Sequence, residues 1–480
     1  MTAVRGPRAA GPTVLPQVDA VGAPGFGREL ARRLAAPGGR LLYLTRIAGL
    51  PGASGAGSGA GADHLLALYD GPDGPAALAA PCGDRPRRPS AEGVLVAWPY
   101  ERYLERHGLP WADPLPVPPV AGRGVFTFPL GPVRGDVAES AAWRLDIMGD
   151  EVLGLRLGFG YKSRDYEAQM SAAPAGLALP LAERVTGTSP VAHGVAYAMA
   201  CEAAFGLGAP PAAVHWRGVM AEIERLYSHL GDLAALANST GLPAAGAELY
   251  ILKESILRLC WRSTGHRYQR GAVAVGGLTA RPSEAALAAG LREVGARFDG
   301  VVAALDGSTS FLDRLHTAGR VPPDAAAAWR PVGPVGRACG IDQDTRRDDP
   351  YGAYAGAGAP PVALAESADA FARYRVRVDE VRASSHWLLE RLAAGDPGGS
   401  VAASLGGAPV ASAATVIGFA RVEGPRGELI YVVGPGWVRT RTASALNWAV
   451  VSPAVSRGNV MQDVPIVDAS FALCVSGLDL

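Results

Sequence analysis

Lysine is nearly missing from this chain of 480 residues: of 45 basic residues only Lys162 and Lys253 are lysines, so 43 are arginines. With the excess of Ala, Gly and Pro, this reads as the imprint of a GC-rich coding sequence. Its chemical consequence is that most acidic partners meet a guanidinium fork and not an ammonium. Cysteine is also scarce. The five that occur (Cys82, Cys201, Cys260, Cys339, Cys474) are scattered and form no C-x-x-C. That excludes a disulfide framework and a zinc or iron–sulfur site built by this chain alone. An excess of charge is missing too: 45 basic residues balance 45 acidic ones, so nothing favours nucleic acid or an anionic membrane as the main partner. No apolar run reaches the ~18 residues of a membrane span. The opening MTAVRGPRAAGPTVLPQVDA lacks the apolar core of a signal peptide, so the chain is expected to be cytoplasmic. There is no G-x-G-x-x-G between a strand and a helix and no G-x-S-x-G, which removes the dinucleotide fingerprint and the α/β-hydrolase nucleophile.

What is present is a large apolar stock, 49% against 19% charged, enough for a substantial core and against wholesale disorder. Residues 1–24 read as a flexible arm and residues 25–108 as a small α+β domain. The latter has a helical pattern (FGRELARRLAA) and β-rich runs (LLYLTRI, HLLALYDGP, AALAAPCG, GVLVAWPYE) divided by turn residues and a Gly/Ser-rich loop. Residues 109–124 form a Pro-rich linker. A strand pair follows (VFTFPLGPVRGD, then AWRLDIMGDEVLGLRLG, with MGD as the turn). From about Pro180 apolar residues recur every three and four positions, which predicts five amphipathic helices. The last is DAFARYRVRVDEVRASSHWLLERLAAG, and SEAALAAGLREVGARFDGVVAALDGSTSFLDRLHT reads as one long helix. The final ~65 residues return to β-rich runs. The expected fold class is α+β, mostly helical, with β-rich ends.

In the helix MAEIERLYSHLGDL, Glu222, Arg225, Ser228, His229 and Asp232 share one stripe. That spacing suits metal ligands; more often it marks salt bridges between packed helices. His193 has apolar neighbours on both sides, the setting of a satisfied core histidine. Cys474 reads as a buried thiol.

Taken in order, GPVRGDVAES, GYKSRDYEA, ERVTGTSPVAH, MAEIERLYSHL, LKESILRLCWRSTGHRY, GPVGRACGIDQDTRRDDPYGAY, EGPRGELIY, SALNW and SFALCVSGLD resemble the large subunits of group 4 [NiFe] hydrogenases of the formate hydrogenlyase and hydrogenase-4 type. They also resemble the D subunit of the proton-pumping NADH–quinone oxidoreductase, complex I. The resemblance covers residues 125–480. WPYERYLERHGLP and the domain before it look like the complex I C subunit. The resemblance implies a hydrogenase large-subunit-like domain after a small α+β domain. It also implies redox-linked ion translocation and a place on the inner face of the cell membrane held through partner subunits. Those partners are a small iron–sulfur protein like the complex I B subunit, a ferredoxin-like iron–sulfur subunit and antiporter-like membrane subunits.

The departures from the family pattern are informative. Thr186 and Ser189 stand where the resemblance places the first pair of metal-ligating cysteines. Cys474 matches the first member of the second pair and Gly477 its second. Hydroxyls replace thiolates poorly towards nickel, so no [NiFe] centre and no cofactor bound by this chain is expected, with the iron–sulfur cluster in the partner. Arg134 and Ala138 fall where complex I has its quinone-loop histidines, and Gly187 where it has its tyrosine. Quinone binding with altered headgroup contacts, or a non-catalytic scaffold, remain as alternatives. The resemblance carries catalytic roles to Glu167, Arg164 and Arg426. Thr186, Ser189, Cys474, Arg134 and His193 are the candidate cofactor-side residues.

Overall fold

The computed structural model describes residues 13–14, 18–20, 26–36, 40–48, 63–71, 74–81, 119–133, 139–285, 287–402, 416–478 and 480. GVLVAWPYE, the Gly/Ser-rich loop and most of the Pro-rich linker lie outside these residues.

Among them, the arm expected to be flexible supplies two short strands. β1 (Thr13–Val14) pairs antiparallel with Phe419 and Gly418 near the other end of the chain. β2 (Val18–Ala20) pairs parallel with β5 (Gly74–Pro81). Two residues of main-chain pairing carry little periodic signal, so composition alone read this stretch as loop. The sheet β2-β5-β4-β3 is completed by β3 (Arg40–Ala48) and β4 (Asp63–Gly71), and α1 (Phe26–Leu34) packs on β4 through Phe26 and Leu30. This small unit has no separate core. Phe26, Leu41 and Leu66 belong to one apolar cluster with Phe419, Ile430 and Trp437 of the C-terminal sheet.

The expected strand pair is a three-stranded antiparallel sheet, β6 (Phe126–Leu130), β7 (Ala142–Met148) and β8 (Glu151–Gly158). Gly149, at φ 60°, makes the β7–β8 turn. Helices then begin earlier than the periodicity suggested, with α2 (Tyr166–Ala172) and α3 (Ala175–Ala182).

The helical body is α4 (Pro190–Phe205), α5 (Pro211–Ser239), α6 (Pro243–Thr264), α7 (Leu287–Asp306) and α8 (Ala370–Ala394), with shorter helices between α7 and α8. α4, α5 and α6 each start on a proline, whose fixed φ and missing N–H suit the first turn. α4 and α6 stop at left-handed Gly206 and Gly265. The single long helix expected over 283–317 is broken at Gly307. Ser308 caps a second helix, Thr309–Leu315, by accepting from the Phe311 N–H. α5 runs through the middle of the body and is buried on every face from Trp216 to Leu230.

The C-terminal sheet has the order β1-β11-β12-β13, with β11 (Gly418–Gly424), β12 (Gly427–Gly434) and β13 (Trp437–Arg441); β9 (Val273–Ala274) and β10 (Gly277–Leu278) form a minor hairpin. β11 and β12 are buried along their whole length because α4 covers one face and the N-terminal unit lies against the other. Gly418 permits the close approach: a Cβ there would lie 2.1 Å from the Ala200 carbonyl oxygen. α9 (Ala443–Val455) and α10 (Val464–Phe471) follow, and residues 472–478 lie against the β11–β12 turn and the start of α9, where Arg426 donates to the Ala472 carbonyl and Thr442 to that of Gly477.

Candidate functional site

Four stretches far apart in sequence meet beside the loop that joins α3 to α4. Arg164 donates to the carbonyls of Arg184 (3.0 Å) and Val185 (2.8 Å) and to that of Ser476. Its guanidinium also lies over the Tyr166 ring, 4.6 Å from the centroid. Arg426, on the tight β11–β12 turn, donates to the Ala472 carbonyl, the Thr188 hydroxyl and Asp232 Oδ1 (3.2 Å). Cys474 Sγ lies 2.7 Å from Ser476 Oγ, which in turn donates to the Val185 carbonyl at 3.3 Å. The structure therefore groups Arg164, Arg426 and Cys474 around the loop that carries Thr186 and Ser189.

Two further expected members have other partners. Glu167, in the first turn of α2, accepts the Thr440 N–H at 2.8 Å and lies 3.7 Å from Arg439. His193 is enclosed under the sheet, with Nδ1 3.0 Å from the Tyr431 hydroxyl. Burial, helped by the charge of Arg164, pushes its imidazole down to about 3 and so holds it neutral. Arg134, with Ala138, lies outside the described residues.

The hydroxyls do not make a metal cradle. Thr186 is buried with Oγ1 unpartnered. Ser189 precedes Pro190 at the start of α4 yet does not cap it. Glu224, reaching across from α5, takes that role, accepting the N–H groups of Val191 (2.6 Å) and Ala192 (3.0 Å) and the Tyr227 hydroxyl (3.2 Å). A Cβ at Gly477 would stand 2.7 Å from Thr442 Oγ1, so Thr442 occupies the space a side chain there would need. With two neutral hydroxyls, one thiol and no fourth donor, these residues do not fit a nickel–iron centre. Among the described residues no group of three His, Cys, Asp or Glu side chains is placed to hold a metal ion.

The polar stripe of α5 resolves into ion pairs. Glu222 accepts from Arg346 (2.8 Å), Tyr354 (2.6 Å), Ser384 (2.6 Å) and Arg225 (3.3 Å). His229 Nε2 meets Glu380 at 2.8 Å. From Glu380 the network continues through Arg337 to Glu423, then by Thr345 to Glu428. Glu428 pairs with Arg40 of the N-terminal unit and with Arg441, and Arg421 carries the link on to Asp70. These are the bolts between the two parts of the chain. Asp232 is the stripe's exception, because it faces the candidate site.

Two carboxylates that periodicity did not single out, Glu183 and Glu224, join Asp232 of the stripe around the site. Burial raises Glu183 to about 7, against the pull of the Gly271 N–H; it raises Glu224 to about 8, against its three donors. Two cations were also missed, Arg377 and Lys253. The signal that was available for Lys253 is its rarity, one of two lysines in the chain.

A family profile described as the respiratory-chain NADH dehydrogenase 49 Kd subunit matches residues 246–405. Formate hydrogenlyase subunit 5 of Escherichia coli is 28% identical over 371 residues, which cover 73% of this chain and 62% of that protein. The carbon monoxide-induced hydrogenase of Rhodospirillum rubrum is 25% identical over 73% of this chain and 98% of its own length. The D subunit of the NADH-quinone oxidoreductase of Dehalococcoides mccartyi is 27% identical over 71% of this chain and 92% of its own. Among solved structures, a chain of a membrane-bound sulfane sulfur reductase, an archaeal respiratory membrane complex, superposes with a TM-score of 0.67 at 22% identity, covering 75% of this chain and 99% of that one. That likeness establishes the shared fold. No helix among the described residues is long and apolar enough to cross a membrane.

Proposed function

We propose that this relative of group 4 hydrogenase large subunits and complex I D subunits is the large-subunit-type component of a membrane-associated, hydrogenase-4-like or NADH–quinone oxidoreductase-like complex. There it takes part in electron transfer linked to ion translocation without a [NiFe] centre. The observation that carries the reading is the donor set. Thr186, Ser189, Cys474 and Gly477 stand where the resemblance puts the family's metal ligands, and only Cys474 can supply a thiolate. The partners it calls for are a small iron–sulfur protein resembling the complex I B subunit, docked at the cavity between the helices and the strand-rich ends, a ferredoxin-like iron–sulfur subunit and antiporter-like membrane subunits. The chain sits peripherally on the inner membrane face through them. Quinone, held through headgroup contacts other than the family's loop histidines, is the alternative acceptor this reading puts to the test.

A second reading, a non-catalytic scaffold, is favoured by one feature. The Arg164 guanidinium is spent on carbonyls of the loops around it, the work of a clamp and not of a group presented to a substrate. Purification of the native complex tests both. The expected result is a co-purifying small iron–sulfur partner, no stoichiometric nickel, no hydrogen uptake or evolution, and quinone reduction. Loss of quinone reduction alone, in an intact complex, selects the scaffold. One nickel per chain retained through chelation, or a chain that purifies alone as a stable monomer, overturns the proposal.

A further inference from the structure

Asp232 is one carboxylate shared among three cations. Arg426 Nη2 lies 3.2 Å from Oδ1 and Arg377 Nε 3.6 Å from Oδ2. Lys253, from α6, is the third, since the charges it responds to are those of Asp232 and Arg426. Among the described residues the other nearby carboxylates are engaged elsewhere, although Glu380 also acts on Arg377. Glu380, the next one, is held by Arg337, Arg225 and His229, and Glu254, next to Lys253 in sequence, by Arg258 and Arg267. The Arg377 guanidinium is 3% exposed and its Nε, turned towards Asp232, has no hydrogen-bond partner. The half-buried Lys253 ammonium makes no hydrogen bond and no ion pair with any described residue. It reaches over Gly231, where a Cβ would come within 2.8 Å of Nζ. The backbone beside Asp232 is thus bare where the ammonium lies. In a chain that otherwise uses arginine, this position holds a compact point charge with three rotatable donors. Partly buried cations in excess raise the free energy of the folded chain unless an anion joins them.

We propose that Lys253, Arg426 and Arg377, arranged around Asp232, form a binding site for a small anionic oxygen ligand, a carboxylate or an oxoanion. The ligand accepts hydrogen bonds from the Lys253 ammonium and balances the charge that Asp232 leaves over. Burial depresses the Lys253 ammonium, Asp232 counteracts that and Arg426 adds to it, the balance expected of a cation awaiting an anion. The site stands on charge and geometry alone, whether or not the complex transfers electrons.

The test uses the purified complex. Inorganic phosphate and acetate are titrated at constant ionic strength, with chloride as the balancing anion, and read by calorimetry and thermal shift. Saturable binding of either is expected, and the tighter of the two identifies oxoanion or carboxylate. Lys253→Gln should weaken it about tenfold or more, the loss of one charge-assisted hydrogen bond. Gly231→Ala, which keeps every charge and displaces only the ammonium, should weaken it about threefold or more. Lys162→Gln, at an exposed pair with Glu139, should change nothing. Unaltered affinity in both Lys253→Gln and Gly231→Ala, or no saturable binding of either anion below about 50 mM, overturns the proposal.

Discussion

Glu222 is the most informative single perturbation in the fold. It is fully buried on α5, and burial alone would raise its carboxyl. The Arg346 and Arg225 guanidinia, with the Ser384 and Tyr354 hydroxyls, outweigh that and hold it at about 2, against 4.5 when unperturbed. That gap is worth roughly 3 kcal/mol of folding free energy. Glu222→Gln keeps the shape and, with its amide oxygen on the Oε2 side, an acceptor for Ser384 and Arg225, but turns an amide NH2 towards Arg346 and the Tyr354 hydroxyl and leaves the Arg346 guanidinium with Asp344 alone. A loss of about 3 kcal/mol at pH 7 is expected, at the low end for breaking a buried ion pair. The pH dependence has a definite sign. A carboxyl depressed in the folded state stabilises fully above its unfolded value and loses that contribution as pH falls towards its folded value. The gap between wild type and variant should therefore be constant above about pH 5.5, smaller by about 1 kcal/mol at pH 4, and nearly closed at pH 2. Urea midpoints followed by far-ultraviolet circular dichroism at pH 7 and pH 4 provide the readout. A gap under about 0.5 kcal/mol at pH 7, or one that widens on acidification, would falsify the assignment of Glu222 as an ionised hub.

Two further perturbations probe the candidate site. Glu167→Gln keeps an acceptor for the Thr440 N–H, and Arg439, 22% exposed, can turn to water. The stability cost should stay near 1 kcal/mol and the complex should assemble. Electron transfer per assembled complex, measured alongside yield, should fall if the carboxyl moves a proton; unchanged turnover assigns Glu167 to structure. Gly477→Cys forces a Cβ against Thr442 and should cost about 1–3 kcal/mol. Adding Thr442→Ala should recover part of this despite the lost cap of α9, where Thr442 accepts from the Ala445 N–H. A single variant melting at the wild-type temperature contradicts the geometry around Gly477.

Local chemistry carried much of this protein in its sequence. Prolines at the starts of α4, α5 and α6 and glycines after α4 and α6 mark helix ends because φ restriction and left-handed geometry are properties of single residues. The spacing of apolar residues located the five long helical stretches; it missed the break at Gly307, the early helices α2 and α3, and α9 and α10 within the C-terminal stretch read as β-rich. The proposal that no [NiFe] centre is held here also rests on sequence, since a hydroxyl at Thr186 or Ser189 is a hydroxyl wherever the chain places it. Tertiary structure alone decided the rest. It gave Glu167 to Arg439, the cap of α4 to Glu224 and the edge of the C-terminal sheet to Thr13–Val14. It also drew Asp232 out of its own helix's ion pairs and set it between Arg377, Arg426 and Lys253. Each of those pairings joins groups whose spacing along the chain carries no period, because a charge selects its partner by distance in the folded interior. There the low dielectric makes every buried group's neighbours count.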